Sequence, residues 1–452
     1  MLPKVVFKRK IYDQLLEWKR SPSRNSALLI EGARRVGKST LVEQFAENEY
    51  EDYLIIDFRK ESSYVKSLFN DVKDINAFYR KLFITQNHIL KPGGLIVFDE
   101  VQFCPKARES IKDFVADGRY DFIETGSLIS IKENTQDIMI PSEERRIDMF
   151  PMDFEEYLLA SEGNDSFLLL KNILEEKAGI DPEIHERYME KFRMYMLIGG
   201  MPKVLSTFLS TNSFKAAEEE KLDILKLYRD DLRKHDRKYE TECGAIFDAI
   251  PAQLAKDNRR FVISSVPGNS RYDNIMKSLS DLCDFKIVNR VDSVSVPESP
   301  LGLNVEQERF KLYFCDTGLL FSKLALLSGE RLDQAYLNFI KGKSSANVGS
   351  IFESAVVQQL VLSGVDVYFH RFQLVDETGM KKGEYELDVI FEKGFKVTVA
   401  EVKSSKNYTT SSLDSIKKKY PQLKTRKIVL GPKNAKYESD KTTYPIYLVP
   451  FL

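Results

Sequence analysis

The chain has 452 residues, with 67 Lys+Arg against 68 Asp+Glu, a formal net charge of −1, four Cys and a single Trp. An apolar content of 43% with 11% aromatics can fill real cores and excludes wholesale disorder, while 22 Gly and 16 Pro exclude a collagen-like or low-complexity chain. The near-zero charge argues against a protein that coats nucleic acid with its whole surface, so polyanion binding must be local. At roughly 150 residues per domain the length suggests about three domains. Cys104, Cys243, Cys283 and Cys315 lack paired spacing, which points neither to a disulfide framework nor to a metal cluster. The segment Met1–Lys10 carries charges where a signal peptide needs an apolar centre, and no stretch approaches the ~18 apolar residues of a membrane span. The expectation is a reduced, soluble cytoplasmic protein with no membrane partner.

In chain order, the first 130 residues alternate short apolar strands with amphipathic stretches, the βαβ rhythm of a parallel sheet covered by helices. Strands are predicted at Ala27–Glu31, Tyr53–Phe58, Leu95–Asp99 and Asp121–Thr125, with helices at Ser39–Glu47 and Ile75–Ile89. Long charged helical patterns follow, notably Ala216–Asp236, with a helix-ending signal at Gly199-Gly-Met-Pro202. Residues 241–325 read as helices near Cys243–Lys256 and Tyr272–Cys283 and a hairpin of Phe285–Val291 with Arg309–Phe314, the pattern of a winged helix. After a linker-like Lys341–Gly349 come a helix at Ser350–Leu362 and strands at Asp366–His370, Tyr385–Phe391 and Phe395–Val402. The expected fold class is α/β. Residues 1–160 are expected to form the parallel-sheet core, 161–240 a helical lid or linker, 241–330 a winged-helix-like domain and 331–452 a small α/β domain.

The sharpest chemical signal is Gly32-Ala-Arg-Arg-Val-Gly37-Lys38-Ser39-Thr40, which matches G-x-x-x-x-G-K-[ST] with a strand before it and a helix after it. Such a loop wraps phosphates with backbone N–H groups and adds the partial positive charge of a helix N-terminus. Gly32, Ala33, Arg34, Arg35, Val36, Gly37, Lys38, Ser39 and Thr40 are therefore the candidate ATP-binding residues. Lys38 would reach the β- and γ-phosphates, and Ser39 would ligate Mg²⁺. Asp99, 60 residues beyond Ser39, and Glu100 end the apolar strand Leu95–Asp99. Asp99 would hold the Mg²⁺ and Glu100 would polarise the attacking water. Ser127 or Thr125, at the end of the next strand, is a candidate γ-phosphate sensor, against the alternative of an ordinary capping residue. Arg145 and Arg146 are candidate charge-stabilising arginines, acting in cis or from a neighbouring subunit of a homo-oligomer, against the alternative of a solvated pair.

Arg9-Lys-Ile-Tyr12, Trp18-Lys19 and Leu28-Leu-Ile-Glu-Gly-Ala-Arg-Arg-Val-Gly-Lys-Ser39 resemble a family of bacterial and archaeal AAA-type ATPases in which the ATPase module precedes a C-terminal domain of unknown function. Met149-Phe-Pro-Met-Asp-Phe-Glu-Glu-Tyr157, Ile198-Gly-Gly-Met-Pro202, Tyr228-Arg-Asp-Asp231 and Lys311-Leu-Tyr-Phe-Cys-Asp-Thr-Gly-Leu-Leu320 extend the resemblance over nearly the whole chain. It implies a P-loop fold and ATP binding. Members often show a Gly just before the Glu-Arg stretch. This chain has Pro141-Ser-Glu-Glu-Arg-Arg146 instead, which leaves the finger arginine unassigned.

A second constellation lies near the C-terminus. Glu384, Glu386 and Asp388 alternate along one strand, Glu401 and Lys403 along the next, and Glu353 sits on the preceding helix. The set resembles a PD-(D/E)XK nuclease core, in which Asp388, Glu401 and Glu353 would share a Mg²⁺ and Lys403 would activate water. An exposed charged sheet face and a binding-only descendant of that fold are the alternatives. Residues 381–452 carry 15 Lys+Arg against 8 Asp+Glu, a local basic surface that the whole-chain balance hides. Asn258-Arg-Arg260, Arg271 and Lys277 could likewise contact DNA phosphates, although Tyr272, Ile275, Leu279 and Leu282 form a core stripe. The functions in view are an ATP-driven switch acting on a DNA- or protein-binding module, an ATP-dependent nuclease, and a slow nucleotide sensor.

Overall fold

The computed structural model describes residues 7–21, 26–127, 141–163, 166–239, 241–256, 259–266, 272–329, 331–342, 347–375 and 380–452. They divide into two compact units. The N-terminal unit comprises residues 1–150, 228–240 and 284–286, and the C-terminal unit 151–227, 241–283 and 287–452.

The N-terminal unit is built on a five-stranded parallel sheet ordered β2-β3-β4-β1-β5, with β1 Ala27–Gly32, β2 Tyr53–Asp57, β3 Leu95–Asp99, β4 Asp121–Ser127 and β5 Glu144–Asp148. β1 and β3 are buried at every position, which is why both are unbroken apolar runs up to their polar ends. The helices Lys38–Glu49 and Ile75–Gln86 begin and end within a few residues of the pattern-based limits. One face of the sheet packs Phe58, Phe69, Phe78, Phe98, Phe114 and Phe122 into a cluster dominated by edge-on and tilted ring pairs. β5 has no apolar run to announce it. Its sequence Glu-Arg-Arg-Ile-Asp becomes a strand by pairing in parallel with β1, Ala27 opposite Glu144 and Glu31 opposite Asp148. Glu144 is fully buried there, and the equally buried Arg108 answers it with two bonds of 2.8 Å. Burial and the Glu144 carboxylate then push the neighbouring buried Glu124 well above the usual carboxylate range.

The C-terminal unit holds an eight-stranded sheet ordered β12-β13-β11-β10-β9-β8-β6-β7. The hairpin β6 Val288–Val294 and β7 Val305–Phe314 joins it through a parallel contact of Asp292 and Ser293 with Tyr368 and Phe369 of β8 Val367–Val375. β8, β9 Lys381–Lys393 and β10 Lys396–Val402 form an antiparallel meander. β11 Arg426–Gly431 and β13 Thr442–Pro445 continue in parallel, and the short β12 Lys436–Tyr437 closes the edge. Helix Val348–Leu362 precedes β8, and Ser411–Lys419 links β10 to β11.

Three segments of the family resemblance meet in this unit. Helix Pro182–Ile198 ends at Gly199, whose φ of +84° lies in the left-handed region. The Gly200 N–H donates to Asp316 Oδ2 at 2.6 Å, and the Met152 N–H donates to the Gly200 carbonyl at 2.7 Å. Asp316 also caps the helix Thr317–Ser328 through the Leu319 N–H at 3.0 Å. A Cβ on Gly200 would stand 2.0 Å from the Met152 carbonyl oxygen, so the backbones approach as closely as glycine allows.

Gly200→Ala should therefore lower unfolding stability by about 2–3 kcal/mol in denaturant titrations, whereas Gly179→Ala, with nothing within 4 Å, should stay within about 0.5 kcal/mol of wild type. Glu124 supplies a second test. The folded state binds its proton more tightly than the unfolded chain does. That contribution to stability is complete below the ordinary carboxylate pKa and is lost as pH rises through the raised one. Glu124→Gln, neutral at every pH, should lose less stability than wild type as pH rises above the ordinary carboxylate range; equal slopes would refute the assignment.

Candidate functional site

At the carboxyl edge of the parallel sheet, β1 runs into the glycine loop and the loop into the helix Lys38–Glu49. Gly32 has φ +155°, and a Cβ there would lie 2.1 Å from the Met149 carbonyl oxygen. Gly37 at φ +103° and Arg35 at φ +69° turn the chain through the left-handed region. The loop's carbonyls are held from the protein side. Gly32 and Ala33 accept from Lys38 Nζ at 2.9 and 2.8 Å, Arg34 from the Tyr228 hydroxyl at 2.9 Å, and Val36 from Arg9 Nη1 at 2.9 Å. With these carbonyls taken by donors on the protein side, the loop opens onto a helix start, whose free N–H groups suit an anion. Burial pushes the Lys38 ammonium down to about 8, against the pull of Glu100 and Asp99.

The magnesium and water candidates lie beside it. The Ser39 hydroxyl donates to Asp99 Oδ1 at 2.9 Å, and the Thr125 hydroxyl donates to the same oxygen. Burial raises the Asp99 carboxyl above its usual range, while the two hydroxyls pull it back. Glu100 has φ +56°, an uncommon conformation for a residue with a Cβ, and it turns the chain away just after the strand. Its N–H donates to Thr125 Oγ1 at 3.3 Å, and its carboxylate accepts from Gln102 Nε2. Ser127, opposite Gly32 in the β1–β4 register, is 2% exposed, and its hydroxyl has no hydrogen-bond partner among the described residues. A nucleotide phosphate would meet that orphaned group, so the residues present fit Mg²⁺·ATP. Thr40 is half-buried on the first turn of the helix.

Sequence reasoning left Thr125 as an alternative to Ser127, and the geometry gives them different surroundings. It missed Arg59, which pairs with Asp57 at 3.0 Å and feels the charges of Glu100 and Asp99. Its signal is Asp57-Phe58-Arg59 at the carboxyl end of β2. Asp231, quoted above only for the resemblance, pairs with Arg34 at 3.1 Å. Arg145 and Arg146 align with Leu28 and Leu29, several residues behind Gly32 along β1, and Arg146 pairs with Glu144 at 2.9 Å.

In the C-terminal unit Glu353 is fully buried. Its carboxylate accepts from Lys311 Nζ at 2.8 Å and from the Arg259 guanidinium and the Tyr313 hydroxyl. These cations hold it down to about 2 despite burial. Lys311 also reaches Glu386 at 2.6 Å, and Arg371 pairs with Glu386 at 2.9 Å. Asp388 accepts from the Val402 N–H at 2.7 Å and is pushed up to about 7, chiefly by burial and then by Glu353. Glu401 accepts from the Leu413 N–H at 2.9 Å and pairs with Lys403 at 2.5 Å. Lys311 and Tyr313 were not among the sequence candidates, and Arg259, expected as a phosphate contact, turns to Glu353 instead. The one available signal is a lysine inside the apolar run Phe310–Phe314. Asn258 and Arg271 lie outside the described residues, and no described helix is long and apolar enough to cross a membrane.

Three family models match parts of the chain. An AAA domain matches residues 24–158, and two domains of unknown function, DUF8612 and DUF4143, match 189–330 and 348–450. No curated protein matches. Among solved structures the chain is similar to a Walker-type ATPase of Pyrococcus abyssi, at 17% identity over 70% of this chain and 96% of that one, with a TM-score of 0.41. It is also similar to the Aeropyrum pernix ORC1 protein in complex with DNA, at 12% identity over 75% and 94% with a TM-score of 0.26. A third is Cdc6p from Pyrobaculum aerophilum, at 13% identity over 75% and 97% with a TM-score of 0.23. With its glycine loop, its Asp-Glu strand end and the match over residues 24–158, the N-terminal unit carries an AAA-type P-loop ATPase domain.

Proposed function

We propose that the protein hydrolyses ATP with Mg²⁺ and uses the nucleotide state to switch a C-terminal module that binds DNA or a protein partner. The observation that carries the reading is the Ser39–Asp99 bond of 2.9 Å beside the buried Lys38. Bound Mg²⁺·ATP supplies the phosphoanhydride and a divalent charge that offsets its oxygens. Gly32–Thr40 would cradle the phosphates, with Lys38 exchanging its carbonyl partners for phosphate oxygens. Ser39 and Asp99 would hold the cation. Glu100, oriented by Gln102 and Thr125, would accept the proton of the attacking water, and the orphaned Ser127 hydroxyl would donate to the γ-phosphate. The switch itself would pass through Arg34 to Tyr228 and Asp231, which touch the loop directly.

The C-terminal module is read as winged-helix-like followed by PD-(D/E)XK-like. Support comes from the hairpin after helices Cys243–Leu254 and Tyr272–Asp284, and from the helix, three antiparallel strands, helix and parallel strand of 348–431. A nuclease is the second reading, favoured by Asp388 inside β9 and by Glu401 and Lys403 at the end of the adjacent β10. The carboxylate of Glu353, already taken by Lys311, Arg259 and Tyr313, favours binding over cutting.

Lys38→Ala should weaken ATP binding at least about tenfold by calorimetry, and unchanged affinity would refute the loop assignment. Glu100→Gln should keep ATP binding and slow phosphate release about 100-fold or more. Plasmid incubated with wild type, ATP and Mg²⁺ or Mn²⁺ should stay intact. Nicking that Lys403→Ala abolishes would put the nuclease reading first.

A further inference from the structure

A cavity of about 260 Å³ opens on the sheet of the C-terminal unit, across the neighbouring strands β7, β6, β8 and β9. Arg260, Arg309 and Arg371 line it together with a single carboxylate, Glu384, which lies 3.8 Å from Arg371. The three arginines differ in how they are held. Arg371 is fixed by Glu386 at 2.9 Å, and Arg309 lies 3.4 Å from Glu306. Arg260 is half-buried and makes no ion pair among the described residues, although its neighbour Arg259 turns to Glu353.

A partly desolvated guanidinium without a counter-charge, beside two others, is an unmet demand for an anion. The fork of N–H donors suits phosphate oxygens. The volume falls just short of the ~300 Å³ at which drug-sized pockets begin, which is room for one nucleotide unit. The ring of Phe369, 1% exposed, supplies an apolar floor. The wall is also rigidly placed, because Arg371, Glu386, Lys311, Glu353 and Arg259 form an unbroken chain of alternating charges behind it.

We propose that this cavity, with Arg260 as its principal anion ligand, binds the phosphate of a nucleotide unit, either a free nucleoside monophosphate or a link of a single-stranded nucleic acid. The proposal rests on the reading of the C-terminal unit as a binding module and gives that module a ligand class and a site.

The test uses the full chain carrying Lys38→Ala, so that the glycine loop does not compete. Thymidine monophosphate is titrated by calorimetry and a fluorescent ten-nucleotide single-stranded DNA by anisotropy. At least one probe should bind, Arg260→Ala should weaken it about tenfold or more, and Arg260→Lys should retain part of the affinity with an unchanged unfolding transition. Binding of the monophosphate alone identifies the free nucleotide as the source, and binding of the oligonucleotide alone identifies the backbone. Oligonucleotide binding that survives both Arg260→Ala and Arg371→Ala overturns the cavity while leaving the module reading intact. Failure of both probes, with ATP still bound by the protein that keeps Lys38, overturns the cavity and the nucleic-acid form of that reading together.

Discussion

A charge removed from water has to be met where it stands, by an opposite charge or by several hydrogen bonds, and both centres of this protein are organised around that requirement. In the N-terminal unit the charge is the Lys38 ammonium, buried at the start of a helix and satisfied by the carbonyls of Gly32 and Ala33. In the C-terminal unit it is the Glu353 carboxylate, satisfied by two cations and a phenol. The two solutions differ in what they leave open. Lys38 leans on neutral carbonyls, which a phosphate can outbid. Glu353 is met by full charges and has little to gain from another cation.

The same requirement orders the surroundings. Arg9 and Tyr228 take the loop carbonyls that Lys38 does not, and the loop is thereby fixed from outside its own sequence. Arg108 answers Glu144 so that a charged strand can close the edge of the parallel sheet, and the leftover cost appears at Glu124, whose carboxyl is pushed well above its usual range. Asp316, wholly buried, meets its charge with the N–H groups of Gly200 and Leu319, tying two helix ends together.

Much of the candidate nucleotide site was legible because it is local. The glycine spacing, the strand before it and the Asp-Glu at the end of β3 all lie within short windows, and their periodicity reports their burial. Gly199-Gly200 was legible as a helix end, but the reason for the second glycine is the Met152 carbonyl, far away in sequence. β5 was invisible, since its strand character comes from the open side of β1 and not from its own residues. The partners of Glu353 were invisible for the same kind of reason: Lys311 and Arg259 stand 42 and 94 residues away, and no pattern in the helix Val348–Leu362 points to them.

The parallel contact of Asp292 and Ser293 with Tyr368 and Phe369 makes one sheet out of two stretches of chain that the linker-like Lys341–Gly349 separates. Cleaving the chain near residue 340 would leave β8 with bare amide and carbonyl groups along one edge and Glu353 without Lys311, Arg259 or Tyr313. An isolated C-terminal fragment would thus combine an unpaired strand edge with an uncompensated buried anion, the conditions for sticking edge to edge with its own copies. The segment after the linker is not a detachable part: its strand edge and its buried anion are both met by residues that precede it.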